Sequence, residues 1–147
     1  MELYRHTQVG YFLIATLVVA GLGIAVLSSV KGVHPIAMTV IAVLSICLVL
    51  FCTLTVAIDR EFVNIWFGPG LIRKRFSLKD IISCRVVKNS WSYGWGIHMT
   101  PHGTLYNVSG LHAVEMKMRG GVQFRIGTDV PQELERAIRQ AIETALR

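Results

Sequence analysis

Hydrophobic and polar positions divide the chain into three regimes. From Val9 to Val30 there are 22 residues without an Asp, Glu, Lys or Arg, and from Ile36 to Ile58 there are 23 more. At about 1.5 Å per residue these runs reach roughly 33 and 35 Å as helices, against a hydrocarbon core near 30 Å, so each is expected to span a membrane. The link between them, Lys31-Gly32-Val33-His34-Pro35, holds turn formers and a Pro placed to open the second helix. The first run is about twice as long as the apolar region of a signal peptide and no small-x-small site follows it, which favours a retained span.

From Asp59 the pattern shortens to strand length. Phe62–Phe67 (FVNIWF), the turn Gly68-Pro69-Gly70 and Leu71–Phe76 (LIRKRF) predict a hairpin. Ile81–Lys88 is another strand, and Asn89–Gly96 is a loop rich in Gly and aromatics. Ile97–Thr100 and Thr104–Val108 bracket a turn at Pro101-His102-Gly103; Ala113–Arg119 and Val122–Ile126 bracket Gly120-Gly121. About seven short strands at this spacing suggest a bent sheet or small antiparallel barrel. The period then changes again. Asp129 is placed to cap a helix with Pro131 in its first turn, and Val130, Leu134, Ala137, Ile138, Ala141, Ile142 and Ala145 share one face. The expected organisation is a helical hairpin over residues 1–58 and one α+β domain over residues 59–147.

Composition agrees with this division. The chain is 52% hydrophobic and 16% charged, with mean hydropathy +0.51. Outside the two uncharged runs, 102 residues hold all 24 charged side chains, about the density of an ordinary soluble domain. The net charge of +6 is uneven, +1 over residues 1–60 and +5 over residues 61–147. Arg60, Arg73, Lys74, Arg75 and Lys79 follow the second run, whereas the loop between the runs carries Lys31 alone; basic flanks favour the cytoplasm, so both termini are expected there. Cys47 and Cys52 lie about 140° apart around a helix and are not placed to bridge; with Cys84 they read as small buried hydrophobes. No ionisable residue interrupts either run, which argues against an ion or proton pathway.

The run Phe67-Gly68-Pro69-Gly70-Leu71-Ile72-Arg73-Lys74-Arg75-Phe76-Ser77-Leu78-Lys79-Asp80-Ile81, then Gly94-Trp95-Gly96-Ile97, Val108-Ser109-Gly110 and Ile126-Gly127-Thr128-Asp129, resembles bacterial pleckstrin-homology (PH-like) domains. The resemblance covers roughly residues 56–147 together with the preceding two-span hairpin. It implies a seven-stranded bent antiparallel barrel capped by a C-terminal helix, in a protein of the bacterial cytoplasmic membrane. It also implies self-association, including into rings. In phosphoinositide-binding relatives this region supplies a basic residue on the first strand and an Arg-x-Arg-type pair on the second; Arg73 and Arg75 match the second half, and Glu61–Phe67 offers no cation for the first.

Three groups of residues are candidates for function. Arg73, Lys74, Arg75 and Lys79 form the tightest basic cluster, suited to anionic lipid at about 1 kcal/mol per cation near a charged leaflet, or else simply a positive flank. Trp91, Tyr93 and Trp95 are spaced to share a face, as an interface anchor or as a barrel closure. Gly21, Ala25 and Ser29 recur at four-residue spacing in the first span and allow close helix contact. His98, His102 and His112 lack a companion Cys or carboxylate and sit around a turn, so no metal or other cofactor is expected. No nucleophile elbow or paired acids stand out, and the basic balance flanks a membrane rather than a base-stacking motif, so neither an enzyme nor a nucleic-acid binder is expected. The expected function is a membrane-anchored binding and assembly module that associates with itself as a scaffold. The alternatives are a receptor-like module for lipid or a peptide strand, or an accessory subunit of a larger membrane complex.

Overall fold

A strand precedes the first apolar helix. The computed structural model describes residues 2–147, in which Tyr4–Val9 forms β1, Tyr11–Lys31 forms α1 and Pro35–Phe51 forms α2. Strand β2 (Thr53–Ile58) follows directly and pairs with β1, so that Val9 stands opposite Thr53 and Tyr4 opposite Ile58. The 36–58 run, expected as one span, therefore divides in two. Thr-Leu-Thr-Val-Ala-Ile alternates and is rich in β-branched residues, and it gains ladders on both sides, to β1 and to β3 (Phe62–Phe67). Strand β4 (Ile72–Ser77) completes a four-stranded antiparallel sheet in the order β1-β2-β3-β4.

A short 3₁₀ turn, Leu78–Asp80, leads into the second sheet: β5 (Ile81–Lys88), β6 (Gly96–Thr100), β7 (Gly103–Asn107), β8 (His112–Met118) and β9 (Gln123–Gly127). Its order is β5-β8-β9-β7-β6. The seven strands expected from sequence are β3–β9, and β1 and β2 bring the number to nine among the described residues. An all-antiparallel arrangement does not hold, because β7 and β9 run parallel, pairing Thr104 with Phe124 and Tyr106 with Ile126. The β8–β9 hairpin inserts between β5 and β7, and this places β9 alongside β7 in the same direction.

The protein is thus α+β, with two sheets and a C-terminal helix, α3 (Pro131–Ala145). Leu134, Ile138 and Ala141 of α3 are buried in one cluster with Val56, Ile65, Phe76, Val114, Met116 and Ile126. Each of these side chains larger than alanine contributes roughly 1.5–3 kcal/mol by leaving water. Asp129 does not cap α3. The capping position is Val130, which makes no side-chain cap bond, and the Asp129 carboxylate turns instead to His6 Nε2 of β1 at 2.6 Å.

Helix α1 is apolar all round and none of its residues is buried, so it is long and apolar enough to cross a membrane, with a length of about 32 Å for its 21 residues. Helix α2 is also apolar but has 17 residues. The two pack along a seam of alternating three- and four-residue steps, with Ile14, Leu17, Gly21 and Ile24 of α1 partly covered and Ile41, Leu44 and Leu48 of α2 facing them.

Candidate functional site

The first sheet turns Val63, Ile65 and Phe67 into the core, so their neighbours along each strand form its outer face. Two rows cross that face at right angles to the strands. One reads Arg5, Ala57, Asn64, Arg75; the other reads Thr7, Thr55, Trp66, Arg73. The edge strands β1 and β4 thereby aim three arginines over a surface centred on Asn64 and Trp66. The Arg5 guanidinium lies 5.5 Å above the Trp66 ring, a cation–π contact. Arg75 Nε donates to Asn64 Oδ1 at 3.0 Å, and Arg73 Nε donates to the Gly70 carbonyl. These residues line a groove of about 430 Å³, whose charged lining is Arg5, Arg73, Lys74 and Arg75 against Glu2 and Asp59.

Asp59 closes one end and is already engaged. Its Oδ1 accepts the backbone N–H groups of Glu61 and Phe62, each at 2.8 Å, and its Oδ2 accepts from Asn64 Nδ2 at 3.0 Å. Partial burial alone would raise its carboxyl, but those donors, with Arg75 nearby, hold it below the usual carboxylate range. Asp59 therefore stays ionised and orients Asn64, which in turn orients Arg75. Glu2 approaches Arg5 only at 3.9 Å on an exposed flank. The arginine forks of the groove retain donors for an anion, and Arg suits phosphate geometry better than a point charge does.

The groove begins close to the helices. The Trp66–Arg73 row lies two residues, about 7 Å, from the Val9–Thr53 pair at the helix junction, and the Asn64–Arg75 row about 7 Å further out.

Of the basic cluster expected from sequence, Arg73 and Arg75 meet here. Lys74 borders the groove but alternates in direction along β4, and its Nζ lies 5.8 Å over the Phe124 ring on the other side of the strand. Lys79 sits on the 3₁₀ turn beyond the far end of β4 and does not line the groove, while its carbonyl accepts from Arg119 Nη2 at 3.1 Å. Arg5, Asn64, Trp66 and Asp59 were not singled out. Arg5 adds a third guanidinium to Arg73 and Arg75, from a strand that precedes the apolar helix α1. The only signal was a weak alternation in Tyr-Arg-His-Thr-Gln-Val, whose apolar members are too few to mark a strand.

The aromatic loop joins β5 to β6, the two edges of the second sheet. Trp95 stacks on Phe12 of α1 with ring centroids 4.4 Å apart, Tyr93 is half-buried, and Trp91 is 79% exposed. The trio is thus split between a packing contact to the helix and a free ring. Gly21 lies in the α1–α2 seam, whereas Ala25 and Ser29 face away from it, and the small-residue stripe does not act as one surface within the hairpin.

Beneath the aromatic loop lies a buried charge cluster. Glu115 on β8 stands between Arg85 and Arg125 across three strands. Arg125 reaches Glu115 Oε2 at 2.7 Å and donates through Nη1 to Asn89 Oδ1 at 2.9 Å, fixing the start of the loop. Burial would push the Glu115 carboxyl up, but its bonds to Arg125 and Arg85 outweigh that and hold it low. Among the described residues, no three His, Cys, Asp or Glu side chains are grouped to hold a metal ion. His98 instead bonds the Trp95 carbonyl. Cys84 is buried, which raises its thiol, and its Sγ lies 3.8 Å from the Glu135 carbonyl.

No protein-family model matches the chain, and no curated protein matches it in sequence.

Proposed function

We propose that this protein is a membrane-anchored, PH-like binding module of the bacterial cytoplasmic membrane, whose outer sheet groove holds an anionic lipid headgroup. The observation that carries the reading is the convergence of Arg5, Arg73 and Arg75 from opposite edges of one sheet over Asn64 and Trp66, within about 7–14 Å of the helix junction. A lipid phosphate extending from the bilayer surface reaches this height, and each cation near a charged leaflet adds about 1 kcal/mol. The PH-like assignment is supported by a four-stranded antiparallel sheet facing a second sheet, with a C-terminal helix packed across both.

In this reading the chain crosses twice with both termini in the cytoplasm. Strands β1 and β2 are neighbours, so a chain that leaves through α1 has to return through α2 to reach its partner strand. Helix α2, about 26 Å long at 17 residues, is at the short end of what spans a bilayer.

Self-association as a scaffold is the second reading. It is favoured by the open edge of β6, where Met99 is 92% exposed and Ile97 41%, and by Ala25 and Ser29 facing away from α2. Native mass measurement of the full chain in mild detergent tests both. Retention of added phosphatidylglycerol over phosphatidylcholine, lost when Arg5, Arg73 and Arg75 are changed to Ala, supports the headgroup reading; equal retention of both lipids removes it. A discrete multimer of this chain alone supports the scaffold, and a monomer removes that.

A further inference from the structure

A second cleft lies at the opposite end of β4, away from the membrane helices. It has a volume of about 700 Å³, and its floor is apolar, built from Phe62, Phe76, Met118 and Phe124. Its charged lining is Lys74, Arg75 and Arg119 against the single carboxylate of Asp80. The Phe62–Ser77 pair at its mouth stands five residues, about 17 Å, beyond the Phe67–Ile72 pair at the helix end of the sheet. The mouth of the cleft therefore lies further from the helices than either row of the headgroup groove.

Beside the cleft runs an open sheet edge. Strand β4 is the last strand of its sheet and pairs with β3 alone. Leu78 N–H donates to the Glu61 carbonyl at 2.8 Å, so by the two-residue alternation of an antiparallel ladder Ile72, Lys74 and Phe76 bond to β3. The N–H and C=O groups of Arg73, Arg75 and Ser77 then point to the open edge.

The geometry points to this edge as the docking site for an extended peptide segment of a partner protein, carrying acidic and apolar residues in alternation, which adds as a fifth strand beside β4. The backbone groups of Arg73, Arg75 and Ser77 supply the ladder, and the period-2 side chains of the guest fall alternately on the apolar floor and the basic rim. Three cations against one carboxylate select an acidic guest over a basic one. The site shares Lys74 and Arg75 with the headgroup groove, and the variants below leave Arg5, Arg73 and Arg75 in place, so that either reading can fail alone.

The test uses the full chain in neutral-detergent micelles with fluorescent, end-capped heptapeptides that alternate Val with Glu or Val with Lys, read by anisotropy. The Glu peptide is expected to bind at least about tenfold more tightly than the Lys peptide, the size of one or two rim ion pairs. Lys74→Glu with Arg119→Glu reverses that preference. Ser77→Pro provides a backbone test that leaves the fold in place. Ser77 has φ −72°, which a proline adopts without strain, and its N–H faces the open edge, so losing that donor weakens Glu-peptide binding by up to about tenfold. Absence of Glu-peptide binding, equal affinity for the two peptides, or binding unchanged in both variants overturns the proposal. So does a concentration-dependent dimer that the charge reversal dissolves, since the occupant is then a second copy of this chain.

Discussion

The backbone N–H of Gly10 donates to the carbonyl of Cys52 at 2.8 Å. Gly10 is the single residue between β1 and α1, and Cys52 the single residue between α2 and β2. The apolar hairpin is therefore an insertion between two paired strands, clamped at its base, and the sheet has no linker that would let it move away from the helices. A Cβ at Gly10 would stand 3.0 Å from the Val108 carbonyl, so the loop that follows β7 closes on the same junction.

With this clamp, the proposed double crossing has a checkable outcome. In a chain with its three cysteines replaced by Ala, Leu3→Cys and Met99→Cys should react with an impermeant maleimide from the same face of sealed vesicles, and Gly32→Cys from the opposite face. Labelling of Leu3→Cys and Met99→Cys from different faces would contradict the double crossing.

The β3–β4 turn is locked to the hairpin as well. Gly68 has φ +45°, and a Cβ there would collide with the carbonyl oxygens of Val49 and Leu50 at the end of α2. Gly68→Ala is expected to cost about 1–3 kcal/mol through strain. Thermal melting followed by tryptophan fluorescence should show this loss, and an unchanged midpoint would argue that α2 and the turn are not in contact.

The buried Glu115–Arg125 pair makes a sharper energetic prediction. Glu115→Ala leaves Arg125, whose side chain is 6% exposed, without its carboxylate, at a cost of about 3–5 kcal/mol. Arg85→Ala removes the partner that is 70% exposed and should cost under about 1 kcal/mol. The folded carboxyl titrates lower than the unfolded one, so its contribution is present above the unfolded value near pH 4.3 and is lost as pH falls through the folded value. Denaturant melts at pH 7 and pH 3 should show this acid limb, and Glu115→Gln should flatten it.

Tyr4 gives the complementary alkaline limb. Partial burial, together with Glu133 and Asp129, pushes its hydroxyl up to about 12 from 10.0, and among the described residues that hydroxyl meets no hydrogen-bond partner. The raised value means that its contribution is intact below pH 10 and is lost as pH rises toward 12. Tyr4→Phe should remove that dependence and, by deleting an unpaired buried hydroxyl, be neutral or stabilising by up to about 1 kcal/mol at pH 7. A marked loss of stability would show that the hydroxyl is paired.

Strand β3 and the amphipathic face of α3 were legible because each repeats a burial period, and the later strands because Gly- and Pro-containing turns bracket short apolar runs. Leu134, Ile138 and Ala141 fall inward as the spacing required. Thr53–Ile58 was hidden for a physical reason. A strand buried on both flanks and a membrane span are both uncharged runs, and only the β-branched residues of Thr-Leu-Thr-Val-Ala-Ile distinguish them. Strand β1 was hidden for the opposite reason, since its outer residues Arg5 and Thr7 are polar and only its partner β2 orders it. The groove was half visible. Arg73 and Arg75 stood out as a local cluster, but Arg5 joins them across 68 residues of sequence and Trp66 only through strand register, neither of which a local pattern carries.

The most direct measurement of the headgroup reading is photocrosslinking from the centre of the groove. The full chain with Trp66→benzoylphenylalanine, placed in bilayers of equal phosphatidylglycerol and phosphatidylcholine, should crosslink chiefly to phosphatidylglycerol, and Arg73→Ala with Arg75→Ala should abolish that preference. Crosslinks to the two lipids in proportion to their abundance, unaffected by the arginine changes, would contradict it.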